Sequence, residues 1–121
     1  MDLMQIRRML MTIGGKPELW KQKQVTVQTA ISLGGAFNDL ISSNLPTGVT
    51  FCMIVKDDLD SSSFLNNQLV CGVYDTVHNK LNSIFRFRSN DYTSQAGTNG
   101  VWSDTYALTA SVGDTYTLFF Q

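Results

Sequence analysis

The sequence has few charged residues and no long apolar run. Only 16% of its 121 residues are Asp, Glu, Lys or Arg, whereas about 25% is typical of globular proteins. The formal net charge is -1, which gives neither the basic surface that nucleic acid needs nor a Lys/Arg block for an anionic membrane. The apolar runs are shorter than the roughly 20 residues of a membrane-spanning helix. We therefore expect no nucleic-acid partner and no membrane insertion.

Residues that carry out catalysis are also scarce. The chain has one histidine, His78, and two cysteines, Cys52 and Cys71. His78 lies in the stretch TVHNK, a predicted turn in which the imidazole would be solvated. The cysteines lie in apolar runs, which favours two buried reduced thiols over a cross-strand disulfide. Phosphate-binding glycine loops and nucleophile elbows are missing. We expect no catalytic residue, no metal ion and no cofactor, and hence no enzyme.

An acidic cluster is the nearest approach to a metal site. Asp57, Asp58 and Asp60 could offer oxygen ligands to Ca²⁺. The cluster lacks the regular spacing and the glycine of a calcium-binding loop. A solvated turn at the end of a strand is the favoured interpretation.

The first residues have the features of a short amphipathic helix. Asp2 and Gln5 can form a capping box, and Gly14 and Gly15 followed by Pro17 end the segment. Arginines interrupt its apolar stretch, which an export signal would not tolerate. Two interpretations are open: the helix lies on its own domain, or it docks on copies of itself or on a neighbouring protein. The apolar residues at coiled-coil spacing are Leu3, Ile6, Leu10 and Ile13.

After residue 15 the pattern changes to that of β-strands. Apolar and polar residues alternate from Val25 to Leu33, and dense β signals follow from Gly48 onward. The stretch GAFNDLISSN is ambiguous between a short strand and a helical turn. VHNK and SVGD are typical of turns. The predicted strands are GVTFCMIVKDD, NQLVCGVYD, KLNSIFRFRS, VWSDTYALTA and DTYTLFF.

These patterns predict an all-β fold, an antiparallel β-sandwich of jelly-roll type, preceded by a short N-terminal α-helix. The length suits one core. Residues 1–15 are predicted to form a helical anchor or oligomerisation segment, and residues 16–121 the sandwich.

Two long polar loops are predicted, at residues 57–67 and 89–100. Loops of this length are uncommon in compact domains and are often functional. The second loop and its border combine aromatic, amide and carboxylate groups, a mixture used in sugar recognition. The candidate glycan-binding residues are Asn90, Asp91, Tyr92 and Trp102.

The stretch FRFR has two interpretations. Arg86 and Arg88 could form a platform that stacks on a sugar or binds an anion. The favoured alternative is an outward row of arginines whose stems cover apolar surface and whose charged ends lie in water.

The last strand has apolar residues on both faces. Tyr116, Leu118 and Phe120 fit an inner core, which leaves Phe119 on the opposite face. A strand that is apolar on both faces is usually covered on both. A second subunit or the N-terminal helix must therefore cover Phe119, which we add to the predicted interface.

Two segments show a resemblance to a known group of proteins. MDLMQIRRMLM resembles the short N-terminal segment of small structural proteins encoded by phages and prophages of Gram-positive bacteria. YALTASVGDTYTLFF is similar to the closing hairpin of jelly-roll domains in phage fibres, head decorations and baseplate adhesins. The resemblance implies a virion component, commonly trimeric, that is anchored by its N-terminal segment and is made in the bacterial cytoplasm.

The first hypothesis for function is therefore a virion structural protein: a head fibre, decoration or tail-tip subunit. It would form a homo-oligomer, with a trimer favoured, and contact capsid or tail proteins. The alternative is a carbohydrate-binding module or adhesin that uses residues 89–102 to hold a host-surface glycan. The residues expected at the oligomer or anchor interface are Leu3, Ile6, Leu10, Ile13 and Phe119.

Overall fold

The computed structural model describes residues 2–13, 20–59, 67–88, 91–97 and 100–121. Two helices and six strands lie in these ranges. In chain order they are α1 (Leu3–Ile13), β1 (Lys21–Thr26), α2 (Gly34–Ser42), β2 (Cys52–Lys56), β3 (Gln68–Asp75), β4 (Lys80–Arg88), β5 (Asp91–Ala96) and β6 (Thr115–Phe120).

The six strands form one antiparallel sheet in the order β1-β6-β2-β3-β4-β5. The last strand in sequence, β6, lies second from one edge, between β1 and β2. The predicted VHNK turn joins β3 to β4, and Asn79 in it has a φ of 56°, a left-handed conformation that Asn tolerates. The predicted SVGD turn precedes β6, and its Gly113 has a φ of 92°.

One face of the sheet, here called the inner face, packs against a second layer. That layer consists of α2 and two extended segments, residues 27–31 and 101–110. An isolated bridge joins the two segments: Ile31 N donates to Ala110 O at 2.8 Å, and Ala110 N donates to Ile31 O at 3.1 Å. The largest fully buried side chains of this core include Phe37, Ile41, Leu108, Tyr116 and Leu118.

The opposite face, here called the outer face, carries a smaller apolar cluster. Ile6 of α1 is buried there with Met53 and Val55 of β2 and Phe119 of β6. The helix thus covers part of the outer face.

The all-β antiparallel class with an N-terminal helix is confirmed. The described residues contain one sheet, and the layer that faces it is built from α2 and extended segments. The ambiguous GAFNDLISSN stretch forms α2, in which Phe37 and Ile41 lie one turn apart and both enter the core.

Two assignments in the second half of the chain were wrong. Residues 101–110, predicted as a strand, form only isolated bridges. Their apolar residues point into the core because the segment crosses over the inner face. Conversely, much of the predicted loop at residues 89–100 is strand β5. This strand lies at the edge of the sheet, so it lacks the apolar alternation that marks a half-buried strand.

Candidate functional site

The N-terminus of α1 is closed by the predicted capping box. Gln5 N donates to Asp2 Oδ1 at 2.8 Å, and Asp2 N donates to Gln5 Oε1 at 2.8 Å. This reciprocal pair satisfies two N–H groups that a helix end otherwise leaves free. The first turn of α1 is therefore fixed where it meets the sheet.

The predicted interface residues occupy different environments. Ile6 and Phe119 are in one cluster, and Phe119 is only 1% exposed. Of the two predicted covers for Phe119, the N-terminal helix is the one present in the single chain. The backbones of Leu10 and Ile13 lie in α1, and their side chains are outside the described part of the structure.

The first turn of α1 displays exposed apolar side chains. Leu3 is 46% exposed and Met4 is 58% exposed. Leu3 also borders a cavity of about 310 Å³ between the helix and the sheet, which Val55, Thr117 and Phe119 help to line. The helix therefore binds its own sheet through Ile6 and leaves an apolar strip, defined by Leu3 and Met4, exposed on its first turn.

The part of the outer face formed by β3, β4 and β5 is lined by small and apolar residues. An open groove of about 430 Å³ lies over these strands. Cys71 and Val73 in this groove also pack against the Ile6 cluster, so the groove and the cluster are continuous. The groove residues on the outer face include Met53, Cys71, Val73, Ser83, Phe85, Ser94 and Ala96.

The two edges of the sheet differ in charge. The edge strand β1 carries Lys21 and Lys23, both exposed. In β5 the residues from Tyr92 to Ala96 include no charged residue and no proline. Lysine on an edge strand discourages pairing with another chain, so only β1 has this protection.

The predicted glycan site is only partly described. Asp91 and Tyr92 begin β5, with side chains outside the described part, and Asn90 lies outside the described residues altogether. Trp102 is 6% exposed and belongs to the inner core, where its ring centroid is 4.2 Å from that of Tyr106. Its indole face is therefore covered by the protein and is not available to stack on a sugar.

Arg86 shows an arrangement that sequence reasoning missed. The favoured outward row is wrong for this residue, which is 4% exposed. Its guanidinium donates from Nη1 to Asn67 Oδ1 at 2.6 Å and to the Tyr106 hydroxyl, and its Cζ lies 5.1 Å from the Tyr106 ring centroid. Nε donates to Thr93 Oγ1 at 3.3 Å.

This arginine ties four parts of the chain together at one end of the sheet. Asn67 immediately precedes β3, Thr93 belongs to β5, and Tyr106 comes from the segment over the inner face. Tyr106 also donates to Gln95 Oε1 at 2.8 Å. The cluster therefore holds β5 in place through side chains as well as through the β4 ladder.

Titratable groups elsewhere have local partners. Asp57 accepts from Gln24 Nε2 at 2.8 Å and from Thr117 Oγ1 at 2.5 Å, so its oxygens hold the strand ends together. His78 Nδ1 lies 2.7 Å from Asp75 Oδ2, and the hydrogen bond from His78 lowers the pKa of Asp75. Within the described ranges, no three His, Cys, Asp or Glu side chains are grouped so that they could hold a metal ion.

The described helices are all too short or too polar to cross a membrane. Comparisons of the chain with protein-family models, with curated proteins and with solved structures found no match.

Proposed function

We propose that this chain is a structural subunit of a virion, of the head fibre, decoration or tail-tip type, that assembles as a homo-oligomer. It has no catalytic role and needs no cofactor in this proposal. The virion assignment is supported by the resemblance of residues 1–11 and 106–120 to segments of phage structural proteins. The same resemblance favours a trimer, production in the bacterial cytoplasm, and capsid or tail proteins as further partners.

One observation carries the assembly part of the proposal: Leu3 and Met4 are exposed on the first turn of a helix that is fixed to the sheet through Ile6. A loose terminal helix would lose conformational freedom on binding, whereas a capped and docked helix has already lost most of it. The apolar strip is therefore prepared for contact with another chain. Ile6 and Phe119 support this contact indirectly, because they hold α1 on the sheet.

The energy available from this strip is modest. Complete burial of a Leu or Met side chain is worth about 1.5 to 3 kcal/mol before the costs of association are subtracted. Two half-exposed residues give less than that for each chain. A closed symmetric oligomer repeats the contact in every subunit. The strip therefore contributes most to the free energy of association in such an assembly.

Light scattering coupled to size-exclusion chromatography tests the assembly. The wild-type chain should elute as a trimer, and Leu3→Asp and Met4→Asp should shift the mass toward the monomer without changing the circular dichroism. Val77→Asp is the matched control, because Val77 is also an exposed apolar residue but lies in the β3–β4 turn. A monomeric wild type at high concentration, or variants with unchanged mass, would overturn the assembly proposal.

The virion part needs a separate experiment. Particles should be purified by density gradient from induced cultures that carry the gene, and analysed by mass spectrometry. The chain should co-purify with capsid or tail proteins at a fixed ratio. Its absence from washed particles that contain the other structural proteins would contradict the assignment.

A further inference from the structure

The sheet ends at β5, and in the described part of the chain no strand pairs with the outer edge of β5. The direction of its backbone groups follows from one hydrogen bond. Gly97 N donates to Asn82 O at 3.0 Å, so the backbone groups of residue 97 point toward β4. Because these directions alternate along a strand, Gln95 and Thr93 also point toward β4. Tyr92, Ser94 and Ala96 therefore direct their N–H and C=O groups away from the sheet.

We propose that two copies of this chain pair through this edge, β5 against β5, antiparallel, with the two-fold axis at Ser94. In this register Ser94 faces Ser94 of the second copy, and Tyr92 faces Ala96. Each facing pair can exchange two backbone hydrogen bonds, as in the hydrogen-bonded pairs of any antiparallel ladder. Every outward backbone group of the three residues then has a partner.

The side chains of β5 are compatible with the same register. Thr93 faces Gln95 of the second copy, both uncharged. Asp91 takes the register position opposite Gly97, so the two Asp91 residues of the dimer are not paired with each other. Like charges directly opposite one another would destabilise the pair, and this register contains none.

The outer face also becomes continuous across the axis. Ser94 and Ala96 line the open groove at the edge of the sheet, and both are small. Pairing therefore brings the grooves of two copies side by side, with Ser94 and Ala96 of each copy at the seam. The other edge is less suited to such pairing, because β1 carries Lys21 and Lys23 and lysine on an edge strand discourages pairing.

This interface is separate from the α1 strip and deepens the proposed assembly by naming a second contact. An isologous contact of this kind joins chains in pairs. Alone it gives a dimer, and at concentrations above those at which the α1 contact forms a trimer it joins two trimers into a hexamer with both symmetries. The β5 contact can therefore fail while the α1 contact stands, and the reverse is also possible.

Residue-resolved hydrogen exchange by NMR tests the backbone pairing directly. The amides of Thr93 and Gln95 should be protected at all protein concentrations, because they face β4. The amides of Ser94 and Ala96 should exchange rapidly at low concentration and become protected as the concentration rises. If they stay unprotected in an oligomeric sample, or if the β1 amides become protected instead, the proposed edge is wrong.

Variants at Ser94 provide a second test. Ser94→Pro removes an outward N–H that β4 does not use, and proline is tolerated at such edge positions. Self-association through β5 should weaken at least about tenfold, because a central hydrogen bond is lost in each copy. Ser94→Lys, which keeps the N–H and adds a charge at the axis, should have the same effect. Gln22→Lys on the β1 edge is the matched control and should leave association unchanged.

A cross-link fixes the register. Facing residues of a hydrogen-bonded pair have Cα atoms about 5.5 Å apart, within the range of disulfides. In a Cys71→Ser background, Ser94→Cys should form a covalent dimer on mild oxidation, and Gln22→Cys should not. Equal cross-linking of the two variants would mean random collision and would overturn the proposal. The proposal would also be wrong if Ser94→Pro and Ser94→Lys both dimerised as strongly as the wild type.

Discussion

At the scale of single residues, the two cysteines differ more than their similar sequence surroundings indicate. Cys52 faces the inner core and Cys71 lies on the outer face, so the two side chains are on opposite faces of the sheet. Both are free thiols. Burial raises the pKa of Cys52 to about 12 and also raises the pKa of Cys71. A thiol must ionise to act as a nucleophile. Cys71, the less buried of the two thiols, is therefore expected to be the more reactive.

We predict that iodoacetamide at pH 8 modifies only Cys71 in the folded protein, and slowly. Peptide mass spectrometry with and without denaturant measures this, and Cys71→Ser should abolish the native-state labelling. The ordinary thiol pKa is 9.0, so the stabilising effect of keeping Cys52 neutral is complete below pH 9. It is lost as the pH rises from there through about 12. Native-state labelling of Cys52 at the rate of an unfolded chain would contradict the inner-face position.

Arg86 and Trp102 show which residue environments the sequence could not reveal. A strand pattern tells which residues share a face, but not which face is covered by a distant segment. Tyr106 approaches Arg86 from a segment that the pattern assigned to a strand, and Trp102 lies in that same segment, which crosses over the inner face. An arginine between two phenylalanines is therefore buried, and an aromatic residue beside a polar loop enters the core. The burial of Phe119 was easier to predict. A strand that is apolar on both faces is usually covered on both, whichever part of the structure provides the second cover.

At the scale of elements, α1 is the part whose energy can be tested most simply. Ile6 is buried among Met53, Val55 and Phe119, and truncation of a buried Ile to Ala typically costs about 2 to 5 kcal/mol. We predict that Ile6→Ala lowers the free energy of unfolding in urea by about 2 kcal/mol or more. Met4→Ala is the control: its side chain is exposed, so the change should stay within about 0.5 kcal/mol. Equal effects of the two variants would mean that α1 is not docked on the sheet.

The elements that could be predicted are those with a regular apolar pattern of their own. The capping box and apolar spacing located α1, and dense runs of β-forming residues located β2, β3, β4 and β6. The edge strand β5 was missed because it is polar on both faces and is held by its ladder to β4 and by the Arg86 cluster. The proposed β5 contact was hidden for the same reason. Its signal is an edge strand without lysine or proline, which has a meaning only once the strand order is known.

At the scale of the whole molecule, the sheet lies between two apolar clusters of unequal size and contributes residues to both. The inner cluster contains most of the buried residues and does not depend on α1. The outer cluster depends on α1, since Ile6 is the only fully buried member that does not come from the sheet among the described residues. The two clusters should therefore respond differently when the N-terminal helix is removed.

We predict that deletion of residues 2–13 leaves the sheet folded but exposes the outer cluster. Circular dichroism should keep its β signal, while binding of the dye ANS and aggregation should increase, because Phe119, Met53 and Val55 lose their cover. The double variant Leu3→Ser, Met4→Ser is the control, since it removes the exposed strip and leaves Ile6 in place. It should reduce association without raising ANS binding.

If the deletion instead unfolds the chain completely, α1 is part of the core of the molecule, and its apolar strip must be tested by point variants alone. If the deletion leaves a folded monomer without ANS binding, the outer cluster does not need α1, and the role assigned to Ile6 is wrong.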